Sequence, residues 1–514
     1  MKQISSFLSV LMVITFAFIS CSKESATQNE EKGYKINIHA TNGAGTKVVT
    51  DDGSKGVTTF ASTEKIYVCN QSSGNKIDKT AISPTPESDA HNAKIVGTLS
   101  GETSGGAAIS YANGNSLRLL YNIPEDGIVN YDNQDGTITN VVSAASSDVT
   151  ISNVTAGKEI TTSEADFTNL QSIFKFRFRI STSPDTFLGN KVRFVRVFST
   201  RNMLQVQYNA VTGAVTRGPI TMSRTTNLTS DYTYIGMRFD PKLSDDPLDE
   251  LVFQVVDADG KVYSGSKIAP DGGFANGNFY TATVDVKLYT FTVASGSKVC
   301  FSPGDLGAEV VSEQYVYSFT EPFTTWGHGN TTNYNSATDA KAVGKRVWFD
   351  FYFESGLANG TVYGITNWRI PRKVSSDVAS YEWNYLVNSR TMNSSVARFY
   401  KVTIPGHQYC LLLPPDETKS SDIGSDLTSG TVTDYVKYLG KGFVLLFNTN
   451  RGMYSSSSWN WGTSGGSYAK QGWYWAVNDG SNRYYFTWPD EGPKVDWGMN
   501  RMRNHIRYVH DVTL

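Results

Sequence analysis

A period of two recurs along most of this chain. Lys35-Ile36-Asn37-Ile38-His39-Ala40 alternates strictly, Lys65 to Cys69 returns the pattern and Ser116 to Tyr121 repeats it, with clusters of Gly, Asn, Asp and Ser between. Successive side chains of a strand point to opposite faces, so such a run packs one face and wets the other. Thr, Ser, Asn, Gly, Val and Tyr dominate, while long helical periods of Leu, Ala, Glu and Lys are nearly absent. Several strands without helices predict a sandwich, and the chain as a whole is expected to be mainly β. His39 takes a polar position in its run and reads as a solvent-facing strand residue, not a ligand.

At 514 residues the chain can hold about three domains. The first β-sandwich is expected over 34–154 and a second over 155–288. The second has its landmark in Ala165-Asp166-Phe167-Thr168-Asn169-Leu170-Gln171-Ser172-Ile173-Phe174-Lys175-Phe176-Arg177-Phe178. There Phe174, Phe176 and Phe178 alternate with cations, which predicts three buried rings and Lys175 and Arg177 in water. Tyr208 to Val215 reads as a turn between strands, and Phe279 to Val286 as the closing strand.

After Tyr289 the composition changes, and all ten Trp lie between Trp326 and Trp497. This third unit, 289–514, is expected to fold alone. Ser380 to Ser389 is its best helix candidate, with Ser380 as cap and Trp383 and Leu386 on one face. Trp473 and Trp475 flank Tyr474 as in a strand with one packed face. Trp459 and Trp461 follow four serines and precede Gly462, Gly465 and Gly466, which reads as a loop. Rings among small residues suit a binding surface, so Tyr454, Trp459 and Trp461 are the candidate ligand-binding residues.

The net charge of −2 leaves no electrostatic footprint for nucleic acid. Residues 1–20 read as a targeting segment, with Lys2, an apolar run from Phe7 to Ile19 and a Ser20-Cys21 junction. That junction resembles the lipobox of bacterial lipoproteins, which implies lipidation at Cys21, a polar tether over 21–33 and an outer-membrane anchor at the cell surface. Cys69, Cys300 and Cys410 remain, each in a strand-like run, and read as buried free thiols. No zinc spacing or Cys/His pairing is visible, and no metal or cofactor is expected. His505 and His510, five apart, fall on opposite faces of a strand, and with Arg501, Arg503 and Arg507 they read as a solvated strand face. Asn478-Asp479-Gly480 reads as a hairpin turn and not as a calcium loop.

The lipobox, the first strand with its "TK" tract, the ADFTNLQSIFKFRF segment and the closing GNFYTATVDVKL together resemble the fimbrillin family of Bacteroidetes over about Tyr34 to Leu288. The order of CFSPGDL, NWRIP with EWNYL, LLLPPD, GWYW and NHIRYV is similar to a C-terminal module related to the C-type-lectin-like fold of formylglycine-generating enzymes. These resemblances imply two fimbrillin-like β-sandwich domains followed by an α+β C-type-lectin-like domain. The catalytic cysteines of those enzymes lie near the end of the domain, whereas Cys300 and Cys410 lie early, so the chain is not expected to be an enzyme.

The implied function is a structural and adhesive fimbrial subunit with a cell or glycan ligand, assembled with other subunits by donor-strand exchange. The implied maturation cleavage would fall at the basic residue nearest the first strand, between Lys47 and Val48. Asn504 to Leu514 reads as closing the lectin-like module, leaving no segment to donate, which predicts the tip of the fimbria. The alternative is a lipid-anchored surface glycan-binding protein, or a degenerate enzyme, that never enters a fimbria.

Overall fold

The computed structural model describes residues 33–42, 50–51, 56–57, 59–243, 246–293, 296–312, 314–320, 349–350, 357, 359–372, 382–383, 386, 399–404, 407–418, 430–446, 452–455, 458–461, 473–477, 483–487, 494–497 and 502–513. Cys21, Lys47, Val48 and the cap position Ser380 lie outside these residues. Strands dominate the described residues, and the molecule is mainly β.

The first sheet holds β1 (Tyr34–Asn42), β2 (Ile66–Asn70), β3 (Asn92–Leu99) and β4 (Ser116–Tyr121). β5 (Ile128–Asn130) follows in sequence but not in this sheet; β6 (Ala145–Val154), β7 (Glu159–Thr162) and β8 (Ala165–Asn169) complete it. Its order is β2-β4-β6-β7-β1-β3, with β8 beside both β1 and β6. The sheet curls so that Ile36, Ile38 and Ala40 meet Val68, Leu117, Leu119 and Phe167 in one core. Phe60, Tyr121 and Phe167 lie edge to face there, with centroids 5.4 to 5.7 Å apart.

β7 and β8 were expected to begin the second unit at Thr155. They instead run parallel to β1, pairing Lys35 with Glu159 and Ala40 with Ala165, and Ile160 and Phe167 fill the first core. β5 goes the other way: it pairs with Leu204–Asn209, and Val129 and Tyr131 enter the second core. An alternating pattern specifies a strand with one buried face, not which neighbour it pairs with.

The second sheet contains β9 (Ser172–Ile180), β10 (Val192–Ser199), β11 (Leu204–Asn209), β12 (Ile220–Ser223), β13 (Thr233–Phe239), β14 (Glu250–Asp257), β15 (Val262–Ile268) and β16 (Phe279–Leu288). Its order is β11-β13-β9-β16-β15-β14-β10-β12, and β9 and β16 are parallel over eight pairs from Ile173 opposite Phe279 to Ile180 opposite Val286. Phe174, Phe176 and Phe178 are buried as the alternation requires. Lys175 is not in water. It is buried, with its ammonium 4.3 Å from the centre of the Tyr232 ring, so a cation–π contact takes the place of solvent.

The C-terminal module opens with β17 (Lys298–Phe301) and a hairpin of β18 (Leu306–Val311) and β19 (Gln314–Phe319). It continues through β20 (Ile365–Arg369), β21 (His407–Leu413) and α1 (Val432–Gly440), then β22 (Gly452–Ser455), β23 (Ser458–Trp461), β24 (Trp473–Val477) and β25 (Val509–Val512). β25 lies between β17 and β20, so the module's first and last strands are neighbours. α1 begins at Thr431, whose backbone N–H and hydroxyl both donate to the Asp434 carboxylate in its first turn. The helix expected over 380–389 is represented by helical residues at 382–383 and 386, with Trp383 and Leu386 both buried.

Two hydrophobic cores cross residue 288. Tyr435, Val436, Tyr438 and Leu439 of α1 pack with Phe198 and Val252 on the outer face of the second sheet. Phe194 and Val256 on that same face join Cys300, Leu306, Trp368 and Tyr508. The module and the second sheet thus share buried apolar surface, which is not the packing of a unit expected to fold alone.

Candidate functional site

β1 lies inside its sheet, not at its edge. One side is antiparallel to β3 over eight pairs from Tyr34 opposite Leu99 to Thr41 opposite Asn92. The other side is parallel to β7 near its start and to β8 near its end. Ile36, Ile38 and Ala40 are fully buried while Lys35 and Asn37 are exposed, so the strand is held by alternate side chains and by main-chain bonds along both flanks. Burying each isoleucine contributes about 1.5–3 kcal/mol.

His39, half-buried on the polar face, stands 3.7 Å from both Glu87 and Glu164. The Tyr34 ring meets Tyr111 edge to face at 4.8 Å. Removing β1 would leave a groove lined by Ala93, Ile95, Ile160 and Ala165, with an unpaired edge on each side. Such a groove is a template for an incoming strand.

The aromatic block is more regular than its sequence suggests. Trp459 and Trp461 were expected in a loop, but they lie in β23, which pairs with β22 so that Tyr454 is opposite Trp459 and Gly452 is opposite Trp461. The backbone pairing of this hairpin, which forms the edge of a four-stranded sheet, overrides the serine- and glycine-rich flanks. The side chains of Tyr454, Trp459 and Trp461 lie outside the described ones. Among the described side chains of β24, Tyr474 and Ala476 are buried, at the positions that alternate with Trp473 and Trp475. The Asn478-Asp479-Gly480 turn lies outside the described residues.

The expected solvated face near the C-terminus is instead an ionic core. His505 and Arg507 are buried, and Asp305 accepts from both: its Oδ2 lies 2.8 Å from His505 Nδ1 and its Oδ1 is 3.1 Å from Arg507 Nη1. Tyr474 donates its hydroxyl to the same carboxylate at 3.1 Å. Burial pushes the Asp305 carboxyl up, but the hydrogen bond and charge of His505 together with Arg507 outweigh it and hold the group below the usual carboxylate range.

A second cluster fixes β25 to β20. Arg369 binds Glu382 through Nη1 (2.7 Å) and Nη2 (2.9 Å), and Asp511 through Nε (2.9 Å) and Nη2 (2.6 Å). These are fork-like charge-assisted bonds that close the module on itself. A run of cations reads as a wet face until the facing carboxylate is known, and Asp305 is 200 residues from His505 in sequence. His510 lies apart from His505, with its ring 5.2 Å from Trp368.

The three described cysteines are free and buried, as the strand-like runs predicted, and burial pushes the Cys69 thiol up to about 11 and Cys300 up to about 12. Thiols held protonated at neutral pH are poor nucleophiles. Among the described residues no group of three or more His, Cys, Asp or Glu could hold a metal ion.

No protein-family model matches the chain, and no curated protein does. Among solved structures, a protein of Bacteroides uniformis provisionally named for cell adhesion is 13% identical, covering 49% of this chain and 95% of its own, with a TM-score of 0.28. A fimbrial assembly protein of Parabacteroides distasonis is 12% identical, covering 49% and 90%, with a TM-score of 0.26. The tip fimbrial protein Mfa3 of Porphyromonas gingivalis, with a C-terminal truncation, is 11% identical, covering 47% and 84%, with a TM-score of 0.24. A TM-score of this size does not by itself define a shared fold.

Proposed function

We propose that this chain is an adhesive subunit of a bacterial surface fibre, assembled by replacement of its first strand. The reading rests on the position of β1: it is bonded on both flanks and packed on one face, and it is joined to the rest of the chain at one end by the segment Gly43-Ala44-Gly45-Thr46-Lys47-Val48. A cut between Lys47 and Val48 would sever that connection and allow a neighbouring subunit's strand to take the groove. The same reading has Cys21 carrying the lipid that anchors the protein before assembly. It makes the C-terminal module the part presented to a cell or glycan, with Tyr454, Trp459 and Trp461 as contact residues, and places the subunit at the fibre tip.

N-terminal sequencing of fibre-associated protein is the direct test. A start at Val48 is expected, and an intact Ser22 region in the polymer overturns strand replacement. Immunogold labelling confined to fibre ends is expected for the tip location; labelling along the shaft removes it.

A further inference from the structure

A cleft of about 750 Å³ separates the β12 edge of the second sheet from the outer face of the β18–β19 hairpin. Its size falls in the ~300–1,000 Å³ range of sites that enclose small ligands, and its lining mixes polar and apolar side chains. Six Ser and Thr residues line it, Thr221, Ser223, Thr225, Thr226, Ser318 and Thr320, with Asp132, Asp135 and Glu309.

The cleft's own bonding narrows what could occupy it. Both guanidinium groups at the cleft are committed: Arg224 gives Nε to the Thr226 carbonyl at 2.6 Å, Nη1 to the Asp135 carbonyl at 3.2 Å and Nη2 to the Thr226 hydroxyl at 3.3 Å. Arg196 gives Nη1 to the Pro303 carbonyl and Nη2 to that of Phe319. A phosphate, sulfate or carboxylate ligand would therefore meet three carboxylates, Asp132, Asp135 and Glu309, against two guanidinium groups already drawn onto backbone carbonyls. Asp135 has both oxygens occupied, Oδ1 by the Thr137 N–H and hydroxyl and Oδ2 by Asn140, which disfavours it as a cation ligand.

Asp132 and Asn133 differ from these. Thr221 holds Asp132 Oδ1 with its N–H at 2.8 Å and its hydroxyl at 2.5 Å, leaving Oδ2 as an acceptor with no partner among the described residues. The neighbouring Asn133, with φ at +58°, leaves its amide NH2 as a donor. Val316, 53% exposed, and Tyr363 add apolar surface to the same cleft. An acceptor and a donor fixed side by side, hydroxyls around them and an apolar wall match a ligand whose vicinal hydroxyls both give and take hydrogen bonds and whose C–H face is apolar.

From this we infer that the cleft between the second sheet and the β18–β19 hairpin is a binding site for a neutral oligosaccharide. The inference rests on the adhesive reading only for an external glycan; it requires no assembly.

The test uses the full chain as purified monomer on an array of neutral, sialylated and sulfated oligosaccharides, followed by calorimetric titration of the neutral glycan retained. Val316→Trp fills the cleft from an exposed strand position and leaves the core intact. It should weaken binding about tenfold or more. Asp132→Ala should do the same, with a thermal melt to check its fold, and a Trp459→Ala/Trp461→Ala variant tests the aromatic block in parallel. Retention of no glycan, a preference for the acidic ones, or unchanged affinity in Val316→Trp overturns the site. Loss of binding only in the double tryptophan variant also overturns it, and moves recognition to the aromatic block. A protein that binds glycan through the cleft but never appears in fibres would refute the assembly reading and leave this one standing.

Discussion

β3 and β6 of the first sheet bury alternate residues, whereas β10 and β14 of the second bury nearly every one. The first pattern belongs to a sheet with one face in water. The second belongs to a sheet covered on both faces, here by its own core on one side and by α1 and β17–β21 on the other. A sheet buried on both faces transmits strain as a solid body. The molecule thus pairs a front with one face in water and a rear buried on both faces.

Arg196 shows how the rear is fixed. It stands on β10, fully buried, and donates to the Pro303 and Phe319 carbonyls of the module at 2.8 and 2.7 Å. Gly304 makes this approach possible, because a Cβ there would lie 1.7 Å from the Thr320 carbonyl oxygen. Gly442 has a similar role at the far end of α1: φ is +77° and a Cβ would strike the Tyr289 ring at 2.1 Å.

The largest expected effect comes from cutting the chain. A fragment of residues 289–514 should melt broadly, because it exposes the α1 face that covers Phe198 and Val252. A chain of 33–514, which keeps that face covered and the second core whole, should show a cooperative transition; circular dichroism reads both. A cooperative melt for 289–514 alone would erase the contrast between front and rear.

Replacing Arg196 by Met should cost about 3 kcal/mol in urea denaturation, since two buried carbonyls lose their donors. Arg179→Met in the same sheet, where the Arg179–Asp285 pair is partly exposed, should cost under about 1 kcal/mol. Equal costs would mean that the module does not lean on Arg196.

Acid separates the regions further. The folded-state pKa of Asp305 is depressed, so its stabilisation is present above the ordinary carboxylate pKa of about 3.9 and is lost as pH falls through the folded value. Asp257 in the second sheet is raised, by burial first and also by the charge of Asp259, and so it favours the folded state below about pH 3.9 and loses that contribution as pH rises through its folded value. Asp305→Asn should flatten the loss of stability below about pH 4 in a pH-resolved denaturation series. An unchanged acid limb would show that the His505–Arg507 core does not govern acid unfolding. The smallest effect is expected at Val96 on β3, 55% exposed, where Val96→Thr should move stability by no more than about 0.5 kcal/mol.

Much of the front was legible. Ile36, Ile38 and Ala40 are buried where the alternation puts them, and in the second sheet the Phe174, Phe176 and Phe178 rings are buried as their alternation predicts. The rear was less so. The charges of His505, Arg507, Arg369 and Glu382 gave no signal of burial, because an ionic core depends on partners far away in sequence, as with Asp305 and Asp511. The near-continuous apolar runs Val192-Arg193-Phe194-Val195-Arg196-Val197-Phe198 and Leu251-Val252-Phe253-Gln254-Val255-Val256 were the available hint that something covers both faces.

The sequence by itself determined much of the local conformation: the main strands of the first two sheets, which of their apolar residues turn inward, and that the described thiols are buried. These follow from side-chain alternation and hydrophobicity, which act over a few residues. Only the tertiary structure decided that β7 and β8 flank β1, that β5 crosses into the second sheet, and that Arg196 joins that sheet to the module. Pairing partners and buried charges are fixed by surfaces that meet across a hundred residues or more, and a period of two is equally satisfied by many neighbours.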